Sequence, residues 1–290
     1  VSLLANELVK EHEVTIMTYE DRFREDRTMY HLSEDINVDF IDNSQFVNKH
    51  HTPAFCARYL VKKLNDRSGL FNKKSLNPIL AEAIFPQKTR EKWVEYFNSQ
   101  DYDVILTTAS LSLRLAMIAP RLKAATIGWQ HNCYDGYLHV KPVVFWQQEN
   151  LLQQYLPNLD RYIVLSDYDK RDYMEKLGID CEVKINPRSF VSEKKCDVKS
   201  KRFLMATRFV YAKGLDLMME SFEEFCKEDS EWELDIIGDG DLFDQIRADA
   251  KKRHLEKRVH FVGYTNEPEK YYLNSSVFLL PSRWEGWPML

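Results

Sequence analysis

Two cations, Arg208 and Lys213, stand five positions apart in Thr207-Arg-Phe-Val-Tyr-Ala-Lys-Gly214, after an apolar run and before a segment with helical apolar spacing. Two fixed positive charges beside the positive end of a helix dipole make a place where a diphosphate can sit. A solvated pair of surface cations is the competing reading of the same residues. A second charged turn, Pro281-Ser-Arg-Trp-Glu-Gly-Trp-Pro288, follows the apolar run Val277 to Leu280 and carries Arg283, Glu285 and Gly286. In an open α/β sheet ligands sit beyond the carboxyl ends of strands, so a carboxylate and free backbone N–H groups there can face one. A charge at the start of the next helix would explain Glu285 equally well.

Ile237-Gly-Asp-Gly-Asp241 is a strand running into a tight turn, where Gly238 and Gly240 relieve strain and an Asp can cap the next helix. The third glycine of a dinucleotide fingerprint is absent. Asp239 and Asp241 also form an Asp-x-Asp pattern, but Asp101-Tyr-Asp103 and Asp167-Tyr-Asp169 match it equally, so no metal site is expected. His131 ends the strand-like Ala124-Ala-Thr-Ile-Gly-Trp129 in the turn Gln130-His-Asn132, as a site group or as a histidine satisfied by hydrogen bonds. His50 and His51 lie in a poorly patterned stretch and read as loop. No Gly-x-Ser-x-Gly elbow or HExxH run supports a hydrolytic triad or a zinc peptidase.

The elements that must position these groups alternate. In the second half strand and helix succeed each other: strand 203–207, helix 215–227, strand 234–237, helix 242–252, strand 259–262, helix 268–274 and strand 277–280. Such strict alternation predicts a parallel sheet with helices on both faces, and the last strand reads as buried on both sides. In the first half a helix over 1–9 leads to a strand at 13–18, with a second strand at 37–41. One or two helices fall within 43–90, then a helix over 88–98, a strand at 103–107, and a helix from Ser110 stopped by Pro120. A helix over 142–155, a strand at 161–166, a helix over 168–177 ended by Gly178 and a short strand at 182–187 complete it.

At 290 residues the chain is comfortable for two domains. We expect one over 1–187, a polar linker over 188–201 that lacks periodicity, and a second domain over 202–290, with a cleft between them. Hydrophobic content of 44% with 29% charged residues fits a globular protein. A net charge of −5 argues against a binder that tracks nucleic-acid phosphates. Five widely spaced cysteines with no CxxC pair fit free thiols in a reducing cytoplasm. No apolar run approaches a bilayer span. The chain opens on Val1 with an amphipathic helix already under way, which we read as a segment trimmed at both ends.

Four segments in order resemble the GT-B glycosyltransferases of family 4. Arg208-Phe-Val-Tyr-Ala-Lys-Gly-Leu-Asp-Leu217 is similar to the family's R-x-V-x-x-K-G-x-D-L, and Ile237-Gly-Asp-Gly-Asp241 to its V-G-D-G-P. Val259-His-Phe-Val-Gly263 is similar to V-x-F-x-G, and Pro281 to Pro288 to P-S-x-x-E-G-F-P. In the first half, Val1 to Val9 with His12-Glu-Val-Thr15 and Trp129-Gln-His-Asn132 match less tightly. The resemblance implies an α/β fold of the GT-B kind, two doubly wound Rossmann-like domains facing a cleft. It also implies a metal-independent, retaining hexosyltransferase that takes a sugar from a nucleotide diphosphate sugar, with UDP favoured. The acceptor would be a glycan or a lipid-linked molecule in polysaccharide or glycoconjugate biosynthesis. The nucleotide sugar is a co-substrate, so no cofactor is implied, and the implied location is the cytoplasm, extending to peripheral contact with the inner face of the membrane.

By the same resemblance Arg208 and Lys213 bind the diphosphate and stabilise the departing charge. Glu285 is the first Glu of an E-x7-E element and contacts sugar hydroxyls, and His131 lies near the sugar and acceptor. Backbone near Val262, Gly263 and Tyr264 receives the base, while Gly286, Trp287, Pro288, Met289 and Leu290 face the phosphates, with Gly238 and Gly240 lining the donor side. Asp241 stands where the family often has Pro, and the second Glu, the first strand and the Gly-rich turn fall outside the sequence. The alternatives are an inactive nucleotide-sugar-binding relative acting as a partner subunit, and a GT-B nucleotide-sugar epimerase.

Overall fold

The computed structural model describes residues 1–18, 31–41, 52–140, 145–188, 192–229 and 231–288. The chain divides into two units, Val1–Ser189 and Phe190–Leu290.

In the first unit, helix α1 (Ser2–Leu8) precedes strands β1 (Thr15–Thr18) and β2 (Asn37–Phe40), which pair in parallel as a two-stranded ladder. A second ladder, all parallel, has the order β3 (Val104–Thr108), β4 (Ala125–Trp129), β5 (Arg161–Val164), β6 (Glu182–Val183). Val183 is the last residue of β6, two residues into the run 182–187 read as strand. The poorly patterned stretch holds helix α2 (Pro53–Ser68), capped by the Thr52 side chain and ended by left-handed Gly69, and helix α3 (Asn77–Ile84). Helices α4 (Gln87–Ser99) and α5 (Leu111–Ile118) follow, and a 3-10 turn at Ala119–Arg121 carries Pro120. His50 and His51 lie outside the described residues.

Two features differ from the sequence reading. Helix α6 (Tyr134–Leu138) was not foreseen; it is capped by the Cys133 thiol, which accepts from Gly136 N at 3.3 Å. Of the run 142–155 read as helix, α7 covers Glu149–Tyr155 and among the described residues does not reach back over 145–148, because Gln147 sits at φ 56 and its backbone cannot continue a helical turn. Helix α8 (Asp167–Leu177) is capped by Ser166 and ended by Gly178 at φ 69. One large apolar cluster, including Leu113, Leu138, Leu151, Leu152, Val164 and Tyr173, packs the helices onto one face of the sheet, while Leu4 of α1 packs with Trp129, Ile163 and Leu165.

The second unit has the strand order β10 (Val277–Phe278), β7 (Arg202–Ala206), β8 (Glu233–Ile237), β9 (Val259–Gly263), all parallel. Period-two alternation sends Phe203 and Met205 to helix α9 (Leu215–Glu228), through Met218, Met219 and Phe222. Leu204 and Ala206 face the other way, toward Tyr271 and Tyr272 on helix α11 (Pro268–Leu273). Helix α10 (Phe243–Lys252) contributes Ile246 and Ala250 to the first of these layers. The expectation of a fully buried last strand is corrected: β10 is an edge strand, and Val277 and Leu280 are each 39% exposed. An apolar run reports burial of some residues but not the number of neighbours a strand has. Asp241 also fails to cap α10, whose N-cap is Leu242 without a side-chain bond. The polar stretch 192–201 is tied to this unit, with Asp197 N donating to Leu273 O at 2.9 Å and Ser200 bonded to Ser276.

Candidate active site

All four strands of the second unit deliver their following turns to the same edge of the sheet, because they are parallel. The turns are knitted by backbone. Thr207 N donates to Ile237 O, Phe209 N to Asp239 O at 2.9 Å, Leu242 N to Phe209 O at 3.0 Å, and Gly238 N to Gly263 O at 2.8 Å. Arg283 N donates to Ala212 O at 2.8 Å. The glycines permit these approaches: a Cβ on Gly238 (φ 124) would lie 1.8 Å from Thr207 O, and one on Gly214 (φ 65) 2.1 Å from Pro281 O. Gly240 (φ 151) lies against the backbone of Phe209. The predicted groups Arg208, Lys213, Gly238, Gly240, Val262, Gly263, Tyr264, Glu285, Gly286, Trp287 and Pro288 therefore all stand on turns or strand ends at one edge of one sheet. Met289 and Leu290 lie outside the described residues.

Lys213 ends a 3-10 turn over Tyr211–Lys213, immediately before left-handed Gly214 and α9. Its ammonium forms an ion pair with Glu285, whose Oε1 also accepts from the Ser282 hydroxyl at 2.7 Å. Lys213 and Glu285 are only 16% and 23% exposed, so the pair is shielded by its surroundings. Both bonds fall on one carboxylate oxygen, and among the described residues Oε2 has no partner. Arg208 is exposed, and among the described residues no carboxylate pairs with its guanidinium. The site thus offers one open cation, one cation held by a carboxylate, and one carboxylate oxygen ready to accept. Among the described residues no cluster of three or more His, Cys, Asp or Glu is placed to hold a metal ion.

Residues that the sequence reading left without a role hold this edge together. Arg283 grips Asp216 with both ends of its guanidinium, Nη1 to Oδ1 at 2.8 Å and Nη2 to Oδ2 at 2.6 Å. Its Nη1 also donates to Tyr211 O at 2.9 Å, and its guanidinium lies 4.0 Å from the Tyr211 ring centre. The hydrogen bond from Arg283 holds the Asp216 carboxyl below its ordinary value. In the sequence Asp216, two residues after Gly214, carries no signal of a partner 67 residues away.

In the first unit His131 follows β4, half-buried, with its ring stacked on Trp129 at 5.3 Å between centroids. Burial pushes its imidazole below the ordinary value, opposed by a hydrogen bond with Asn186. The turn is fixed by Gln130, 1% exposed. Its Nε2 donates to Asn132 O at 2.8 Å, and its Oε1 accepts from the Tyr162 hydroxyl at 2.6 Å and from that of Tyr173. Trp129 Nε1 and Thr107 Oγ1 are buried beside this turn without a partner among the described residues.

The fold is the α/β fold with parallel sheets found in GT-B glycosyltransferases. Sucrose-phosphate synthase from Thermosynechococcus elongatus superposes with a TM-score of 0.65 at 15% identity, over 99% of this chain and 70% of its own. Staphylococcus aureus TarM, solved with fondaparinux, alpha-GlcNAc-glycerol and UDP, superposes with a TM-score of 0.58 at 20% identity, over 68% and 41%. Residues 189–290, the span of the second unit, match the family described as Glycosyl transferases group 1. An uncharacterized glycosyltransferase of Haemophilus influenzae is 28% identical over 193 residues, which are 64% of this chain. The chain spans 52% of the length of that relative.

Proposed function

We propose that the protein is a retaining glycosyltransferase, moving a sugar from a nucleotide diphosphate sugar to a glycan or lipid-linked acceptor in glycoconjugate biosynthesis. The observation that carries this reading is the gathering of Arg208, Lys213 and Glu285 at one sheet edge of the unit that matches the group 1 glycosyl transferases. When the bond from the anomeric carbon to the diphosphate oxygen breaks, negative charge grows on the diphosphate. Arg208, open, and Lys213, delivered beside the N-terminus of α9, stabilise that charge, which makes the transfer metal-independent in this proposal. The unshared oxygen of Glu285 accepts a sugar hydroxyl. Turn backbone at Val262 to Tyr264 receives the base, with UDP favoured because TarM was solved with UDP. His131 is proposed, separately, to meet the sugar and acceptor. The proposed location is the cytoplasm, with contact to the inner face of the membrane where the acceptor is lipid-linked.

The test is a panel of nucleotide sugars screened by thermal stabilisation, since a ligand that binds only the folded state raises its melting point. Transfer is then measured with the stabilising donor. Arg208→Ala and Lys213→Ala are each expected to lose ~10²-fold or more in turnover, as when a transition-state donor is removed. Unchanged turnover in both variants overturns the proposal.

A further inference from the structure

We infer that Arg283 and Asp216 act as a clasp that positions Lys213 against Glu285, as positioning residues that need not touch a ligand. The turn bearing Glu285 leaves the sheet on its weakest strand. Only Val277 and Phe278 of β10 pair with β7, and the last ladder bond on this side is Leu279 N to Leu204 O at 2.8 Å. Beyond Leu279 the sheet sets nothing, and the chain must find Lys213 by other means.

Arg283 supplies them. Its backbone N–H bonds Ala212, its guanidinium bonds Tyr211 O and both oxygens of Asp216, and its flat face covers the Tyr211 ring. These anchors lie at 211, 212 and 216, on both sides of Lys213 in sequence. Glu285 follows Arg283 by two residues, and Ser282, its neighbour on the other side, donates to the same Glu285 oxygen that meets Lys213. Gly214 completes the fit by admitting Pro281 O where any side chain would collide. Asp216 is 53% exposed, so the pair contributes little to global stability. Its value is geometric: a planar fork fixes distance and rotation together, and a lysine cannot bond two carboxylate oxygens and a carbonyl while lying flat on a ring.

This inference rests on the proposed function only for the use made of Lys213 and Glu285, and its test reads the pair directly. Lysines of the chain are acetylated with a limiting dose of acetic anhydride and quantified by mass spectrometry. Exposed Lys227 on α9 is the internal reference. Arg283→Lys and Asp216→Asn are expected to raise Lys213 labelling relative to Lys227 by roughly five-fold, the scale of one lost ion-pair contact. Asp216→Glu, which keeps a carboxylate, is expected to restore labelling close to the native level. Melting curves establish that each variant is folded at the labelling temperature, a readout that a merely structural loss would move and a local one would not. Should either variant unfold, Tyr211→Leu removes only the stacked ring and is expected to raise Lys213 labelling as well. Native labelling of Lys213 in the folded variants overturns the inference. Protection of Lys213 by UDP in the native chain is a separate arm: its absence counts against the donor reading and leaves the clasp standing.

Discussion

Replacing Gly214 with alanine isolates how much of the candidate site depends on backbone lying against backbone. The residue has φ 65, and an added Cβ would stand 2.1 Å from Pro281 O and 3.0 Å from Pro281 C. The left-handed conformation alone costs an alanine about 1–2 kcal/mol. Relieving the collision requires the carbonyl to retreat by ~1 Å or more, an overpacking cost of about 1–3 kcal/mol. That movement strains the Arg283 N to Ala212 O bond, worth about 1 kcal/mol when lost. Gly263 is the matched control in the same unit, with φ 79 and nothing within 4 Å of its Cβ position. Gly263→Ala should therefore cost about 1–2 kcal/mol and Gly214→Ala about 3–6 kcal/mol. In a domain of this size each kcal/mol moves the melting point by roughly 4–8 °C. Because the chain has two units, global melting is not a two-state measure. Native-state hydrogen exchange read on the β7 and β8 amides reports the second unit by itself. Equal losses in Gly214→Ala and Gly263→Ala, within about 0.5 kcal/mol, refute the close-approach argument, since the two share the conformational term and differ only in the collision.

Two further outcomes concern the first unit. Gln130→Leu removes the acceptor shared by the buried Tyr162 and Tyr173 hydroxyls, leaving only their 3.4 Å contact with each other, and is expected to destabilise by roughly 1–3 kcal/mol for the one hydroxyl proton left unpaired, measured by urea denaturation. A loss under about 0.5 kcal/mol would count against a satisfied network there. His131 is held below its ordinary value by burial, so the unfolded chain takes up a proton first. Its contribution is flat above the ordinary value near 6.5 and unfavourable as pH falls from there toward the lowered folded value. The native chain should lose stability between about pH 7.5 and about pH 5.5 more steeply than His131→Asn, and parallel pH profiles would contradict the assignment.

The second unit was legible because its alternation is regular: each expected strand and helix is present, with ends displaced by a residue or two where ladders and caps decide them. The order β10-β7-β8-β9 is not legible, since Val277 pairs with Phe203 across the whole intervening unit with no local signal, and so the run at 277–280 reads as buried although β10 lies at an edge. In the first unit the signals for α2, Thr52-Pro53 at its start and Gly69 at its end, were present but masked by a polar, basic run. Nothing in Phe145 to Gln148 announces a positive φ at Gln147, so α7 was drawn too long. The convergence of Arg208, Lys213 and Glu285 followed from strand ends and from family resemblance. The Lys213–Glu285 ion pair and the Arg283–Asp216 fork did not, because each joins partners about seventy residues apart whose meeting is set by β10 lying beside β7.

That adjacency also orders events as the protein is made. Phe203 on β7 takes its partner at Val277 on β10. At synthesis rates of roughly 5–20 residues per second, one side of β7 stays unpaired for several seconds while the intervening strands and helices emerge. During that interval β7, β8 and β9 can assemble with β7 as a bare edge, a template for pairing with another nascent chain. How long β7 stays a bare edge is thus set by how soon β10 reaches it and not by the packing of the core.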